Sequence, residues 1–455
     1  MKKSILELKL LLINKDQDRT SNYKYNVIFV FIFRSLTMLF SFILLPTSLN
    51  YFDKNKFGIW LTLVSIIGWV SFLDLGVTNA IRNKLGRSLA LKDFNTAKKD
   101  ISNALLMLAI IFFISCLIFE IIICSLNWDK ILNTGLNSNK EIMLSLTILN
   151  VSLFINSVFG IVFTVISSDQ DSFTQEFYKL ISIFISFIAI FFFNRYFYNS
   201  LIFNSLAITF TSATLTILFY LFYFNRKYYQ LKPNLFLFDF KLVKILSRTS
   251  VSFFVIQISA LVLFMTDNII ISKIFSPAEV VPYNVSFRLF NIVVTLFGIL
   301  TAPSAAALNN AHNLEDQNWI KNYFNKIFKI WVYISLFVLL LFIFSDKVYL
   351  LWIGKLLYVD RIISFSMAIF VLVQTYNAIY VSYLFSIGKI KVQLITAILA
   401  AIINIPLSLL LCKYFNTGPS GVIVATILCS LPNVFLSRYQ SNLILNKNAK
   451  GIWMK

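Results

Sequence analysis

Apolar runs of about twenty residues, separated by short polar clusters, recur along the whole chain. Twelve can be placed, at roughly 24–46, 57–79, 103–126, 142–167, 177–194, 200–224, 249–274, 284–307, 327–350, 361–386, 391–414 and 419–440. Each is long enough to cross the roughly 30 Å hydrocarbon layer of a bilayer as a helix. A membrane strand would instead alternate apolar and polar residues over about ten positions, and IIFFISCLIF (110–119) is apolar on every face. The pattern predicts an all-α integral membrane protein.

Composition agrees, because 58 % hydrophobic and 13 % charged residues cannot be arranged as one soluble core with a wettable surface. The net charge of +20 is distributed unevenly. About 28 Lys and Arg fall in the N-terminus, the even-to-odd connections and the C-terminal tail, against about 10 on the other side. This places both termini in the cytoplasm. The asymmetry accounts for most of the charge, and with no soluble domain to carry a basic surface, nucleic acid is not an expected partner. MKKSILELKLLLINK (1–15) lacks a small-x-small cleavage site, and Glu7 and Lys9 interrupt its apolar part; it reads as an uncleaved interfacial helix or a polar tail.

Little in the chain points to bond-making chemistry. Cys116, Cys124, Cys412 and Cys429 lie inside predicted spans with no CxxC pair and read as packing residues. The single histidine, His312, sits in a predicted loop without neighbouring ligands, so no metal and no cofactor are expected. P-loop, GxSxG, HExxH and EF-hand patterns are absent.

Sliding the chain against itself by 223 positions overlays residues 73–98 on 296–321 without a gap. Leu73/Leu296, Thr78/Thr301, Leu85/Leu308, Leu91/Leu314, Asp93/Asp316, Asn95/Asn318 and Lys98/Lys321 match. The polar matches fall in the loop after an outward-to-inward helix in each half, which predicts two six-helix lobes in parallel repeat, 1–224 and 249–455. Residues 225–248 form the cytoplasmic linker, with Pro233 as breaker and an amphipathic stretch from about Asp239.

The stretch LLPTSLNYFDKNKFGIWLTLVSIIGWVSFLDLGVTNAIRNKLGRSLALKDFNTAKK (44–99) resembles the first loop, second helix and second cytoplasmic loop of bacterial O-antigen flippases. These belong to the polysaccharide transporter family of the multidrug/oligosaccharidyl-lipid/polysaccharide (MOP) exporter superfamily. The resemblance implies a MATE-like, V-shaped pair of six-helix bundles in the bacterial inner membrane. It further implies that they move an undecaprenyl-pyrophosphate-linked oligosaccharide to the periplasmic leaflet, alongside a polysaccharide polymerase and a chain-length regulator.

The charges inside the spans supply candidate site residues, since an ionised side chain at mid-membrane costs about 2.5–3.5 kcal/mol on insertion scales and is kept mainly at polar cavities. Arg34 is followed by Thr37 and Ser41 on one face of the first span. Asn284, Arg288, Asn291 and Thr295, at zero, four, seven and eleven, share one face of the eighth. Arg34 and Arg288, one from each lobe, are the expected pyrophosphate ligands, because guanidinium meets phosphate oxygens through paired hydrogen bonds and stays charged away from bulk water. Asp267 reads either as a structural partner of Arg288 or as a coupling residue for H+ or Na+. Glu120 has no evident partner in the sequence. Asp74 or Leu75, with Gly68, Ser71, Thr78 and Arg82, faces a cavity, and Arg82, Lys84 and Arg87 line its cytoplasmic entrance while serving as topology determinants. A multidrug antiporter of the same superfamily would favour carboxylates in the cavity. A polysaccharide polymerase would need a large outward loop, and the longest here, 127–141, is short.

Overall fold

The computed structural model describes residues 19–71, 77–134, 138–169, 171–197, 199–234, 237, 239, 265–301, 304–415 and 417–454. All regular elements among them are helical. In the N-terminal half these are α1 (Arg19–Tyr51), α2 (Lys54–Ser71), α3 (Val77–Ala90), α4 (Phe94–Ser125), α5 (Trp128–Leu132), α6 (Asn139–Phe159), α7 (Ile161–Ser168), α8 (Ser172–Tyr196), α9 (Leu201–Ser205) and α10 (Thr211–Asn225). The C-terminal half contributes α11 (Asp267–Ile274), α12 (Pro277–Thr301), α13 (Ser304–Asn313), α14 (Gln317–Ile343), α15 (Ser345–Ile353), α16 (Arg361–Ser386), α17 (Lys391–Tyr414) and α18 (Ser420–Leu445).

Ten described helical stretches are long and apolar enough to cross a membrane, and they fall where ten of the twelve expected spans were placed. The other two, 57–79 and 249–274, are described only in part. Asp74, the N-terminal stretch 1–15 and the amphipathic part of the linker after Asp239 lie outside the described residues.

Several boundaries differ from expectation for physical reasons. The first helix runs to Tyr51 rather than ending near 46; it continues past Pro46, and Thr47 and Ser48 return their hydroxyls to the carbonyls of Ile43 and Leu44. The stretch after 79 is helix rather than loop as far as Ala90. Val77, Ile81 and Leu85, four residues apart, are all 0 % exposed, while Arg82 and Arg87 face outward. The expected span 142–167 is divided at Gly160, and 206–210 is a π-turn between α9 and α10.

Three apolar clusters organise the bundle. One is shared between the halves and joins Leu45, Phe57 and Trp60 to Ile271, Val281 and Phe290. The other two are private: Ile81, Ile101 and Val165 pack within the N-terminal half, and Leu308, Ile320 and Tyr383 within the C-terminal half. The shared cluster sits at the end carrying the turns near 52, 127 and 276, and the private ones sit at the opposite end. Among the described residues the halves are therefore joined at one end and packed separately at the other.

Backbone contacts seal the joined end. A Cβ on Gly58 would overlap the Pro277 carbonyl, so only glycine lets α2 and α12 approach this closely. Ser272 Oγ donates to Leu132 O at 2.7 Å, Lys273 Nζ to Lys130 O at 2.7 Å, and Asn133 Nδ2 to Phe275 O at 3.2 Å. Pro46 has no N–H to give the Phe42 carbonyl one turn back. Trp352 Nε1, from the other half, takes that place at 2.9 Å, with its ring 4.6 Å from that of Phe42.

At the separate ends, the 223-residue register reappears as geometry. Lys92 and Glu315 adopt φ of 57° and 54°. Asp93 N and Asp316 N donate to Ser88 O and Ala311 O, both at 2.9 Å, and the two aspartates cap the next helices through Thr96 N and Trp319 N. The linker begins bound to α4. Asn234 N donates to Ser102 Oγ at 2.9 Å, Asp239 N donates to Asn103 Oδ1 at 2.7 Å, and Lys99 pairs with Asp239 at 2.9 Å.

Candidate functional site

The polar groups that meet at the junction of the halves come from α2, α11 and α12. Asn284 Nδ2 donates to Asn268 Oδ1 at 2.7 Å, and Asn268 Nδ2 donates to Ser65 Oγ at 2.6 Å, so a hydrogen-bonded chain crosses from one half to the other. Beside it lies Asp267, 5 % exposed, whose Oδ2 accepts from Tyr283 OH while Oδ1 is buried without a partner among the described residues. One turn deeper, Tyr349 OH lies 3.0 Å from both Ser286 Oγ and Ser364 Oγ.

The expected Asp267–Arg288 pair does not form, and hairpin register explains why. α11 and α12 turn at Phe275–Ser276, so positions about eight residues to either side of the turn lie at one level, where Asp267 meets Tyr283 and Asn268 meets Asn284. Arg288 lies past both, opposite positions outside the described residues. It is half-buried and makes no hydrogen bond or ion pair with any described residue. Asn284, Asn291 and Thr295 share its half-buried face, as the spacing predicts.

Arg34 is exposed on α1, and Thr37 spends its hydroxyl on the Phe33 carbonyl at 2.8 Å. Arg34 stands seventeen residues before Tyr51, about 25 Å along α1, and Arg288 eleven residues after Pro277, about 16 Å along α12. The two guanidinium groups thus sit at different depths below the joined end. Among the entrance cations, Arg82 and Arg87 are exposed, whereas Lys84 is held at 2.6 Å by Asp100, whose side chain is 1 % exposed.

Three further readings are corrected. Glu120 does have partners: Thr147 Oγ1 donates to it at 2.5 Å and Asn150 Nδ2 at 3.2 Å, anchoring α4 to α6. His312 belongs to helix α13, half-buried, with Nδ1 2.9 Å from Tyr383 OH. Burial, and then Lys389, lower its pKa from the ordinary 6.5. Of the cysteines, Cys412 and Cys429 are buried in packing, but Cys124 is exposed. Sequence reasoning missed Tyr283, Asn268 and Ser65. Counting outward from the turn at Phe275–Ser276 would have found the first two.

No protein-family profile and no curated protein sequence matches the chain. Solved structures do. An inward-facing multidrug resistance MATE family transporter of the MOP superfamily superposes with a TM-score of 0.72 at 15 % identity, covering 92 % of this chain and 96 % of that one. An outward-facing multidrug resistance MATE family transporter gives 0.64 at 13 % identity, over 92 % and 94 % of the two chains. A MATE crystal structure in the straight conformation gives 0.61 at 14 % identity, over 92 % and 95 %. The chain is a multi-pass membrane protein with the fold of these transporters.

Proposed function

We propose that this protein flips undecaprenyl-pyrophosphate-linked oligosaccharide repeat units from the cytoplasmic to the periplasmic leaflet of the bacterial inner membrane. In this reading the joined end faces the periplasm, both termini are cytoplasmic, and the separate ends admit the substrate from the cytoplasm, with residues 1–224 and 249–455 moving as two lobes about the linker 225–248. The observation that carries it is Arg288, a guanidinium well inside the bundle with no carboxylate partner among the described residues. A cation held at that depth without a counter-ion is costly, and a pyrophosphate supplies two adjacent anions with oxygens that guanidinium meets in pairs. Arg34, nearer the cytoplasmic side, offers a first contact on the path inward. Asp267, engaged by Tyr283, serves coupling to H+ or Na+. The polymerase and chain-length regulator are expected downstream partners.

The competing reading, a multidrug antiporter, rests on the same Asp267, whose unpartnered Oδ1 would attract a cationic drug. Purified Arg34→Ala and Arg288→Ala separate the two. The flippase reading expects both to keep the wild-type melting temperature within a few degrees, with Arg288→Ala losing at least tenfold in affinity for a short-chain pyrophosphate lipid. Undiminished lipid binding in both variants, with tight binding of an organic cation, would establish the antiporter instead.

A further inference from the structure

Between α17 and α18 a groove of about 440 Å³ runs along the outside of the C-terminal half. Val392, Ile395, Leu399, Ile403 and Leu407 form one wall, and Leu428, Pro432 and Leu436 the other. From Val392 to Leu407 is fifteen residues, about 22 Å, against about 15 Å for one hydrocarbon leaflet of a roughly 30 Å core. Leu399 and Ile403, 52 % and 50 % exposed, leave the groove open along its length to the surrounding membrane.

One end of the groove is built differently. There the chain turns back after α18, and Ile452 and Trp453 close it. That turn is pinned to α18, since Gln440 Nε2 donates to Trp453 O at 3.0 Å and the Trp453 ring stands edge-on to Tyr439 at 5.3 Å. Indole at such a position is the usual marker of the headgroup level.

Cations outnumber acids at this end, where Lys389, Lys391, Arg438, Lys447 and Lys450 lie and Glu315 pairs with one of them. Lys447 is neutralised by Glu315 at 2.5 Å, and Arg438 donates to Tyr376 OH at 2.8 Å. Lys389, Lys391 and Lys450 have no ion-pair partner among the described residues. Lys391 opens α17, whose first turn receives no side-chain cap from Ile390 and so offers free N–H groups on the same side.

We infer that this groove holds one chain of an anionic phospholipid of the surrounding membrane, with its phosphate between Lys389, Lys391 and Lys450. Length and lining select a hydrocarbon chain, and the unpaired lysines beside the Trp453 closure select an anionic headgroup over a zwitterionic one. Each such lysine contributes about 1 kcal/mol near an anionic surface. Three together amount to a preference on the order of a hundredfold when converted through RT.

The test uses the full-length protein in mixed micelles of phosphatidylglycerol and phosphatidylcholine with identical chains, with retained lipid counted by native mass spectrometry. Wild type is expected to retain phosphatidylglycerol at least fivefold over phosphatidylcholine. The surface variant Lys389→Gln/Lys391→Gln/Lys450→Gln is expected to lose that preference, and Ala400→Phe, which adds bulk to the groove, to lose the retained lipid of both kinds. Equal retention of the two lipids by wild type, or unchanged selectivity in the triple variant, would overturn the assignment. Displacement of the bound lipid by an equimolar polyprenyl phosphate would also overturn it, giving the groove to a transported lipid. Dimerisation of wild type that Ala400→Phe abolishes would overturn it as well, giving the groove to a second copy of the chain.

Discussion

At the scale of the residue, Asp267 and Tyr283 are the pair whose disturbance is most informative. A buried carboxylate without a cation depends on its hydrogen bonds, and among the described residues Tyr283 supplies the one this side chain has. Tyr283→Phe is expected to lower the melting temperature of the purified protein, since a hydrogen bond to a charged group contributes about 1.5–3 kcal/mol. In the Asp267→Asn background the same change should cost little. A double-mutant cycle reads the coupling directly, and additive effects would show that the contact contributes nothing to stability. The same Asp267→Asn protein, reconstituted, is expected to transport with its pH dependence flattened, and an unchanged pH profile would remove Asp267 from coupling.

At the scale of the element, the joined end depends on two sequence features that carry no charge. Gly58 permits the α2–α12 crossing, and Pro46 leaves a carbonyl for Trp352. Cysteines placed at Lys130 and Lys273, which are in contact across the halves, report on this end when introduced into a background lacking the native cysteines. Gly58→Val should lower their cross-linking yield at least fivefold, because the added side chain meets backbone that cannot move aside cheaply. Trp352→Phe, which loses one hydrogen bond of about 1 kcal/mol, should have a weaker effect. Full cross-linking in Gly58→Val would mean that the crossing can relax. Ten of the twelve spans were legible from apolar run length, and the matching turns near 92 and 315 from the 223-residue register, because Asp93 and Asp316 cap local turns that need no distant partner. The contacts across the halves were not, because a glycine that admits a neighbour and a proline that frees a carbonyl announce an opportunity without naming what takes it. Charge misled in the same way at Asp267, where the opposite sign of Arg288 suggested a partner that hairpin register does not permit.

At the scale of the whole molecule, the private clusters pack each half on its own where the halves carry the equivalent turns. Leu91 and Leu314 mark those turns and are 69 % and 72 % exposed. Spin labels at these two positions are expected to show a longer mean distance in the empty protein than in a state trapped open at the other end. A single distance distribution under every condition would argue against movement of this kind. The joined end is held by the apolar cluster that the two halves share. That cluster has a thermal consequence. Parting the joined end would bring Leu45, Phe57, Ile271 and Val281 toward water, and exposure of apolar surface raises heat capacity. Unless the other end buries as much in exchange, the balance between the two forms is curved in temperature, and the closure that Gly58 makes possible weakens in the cold.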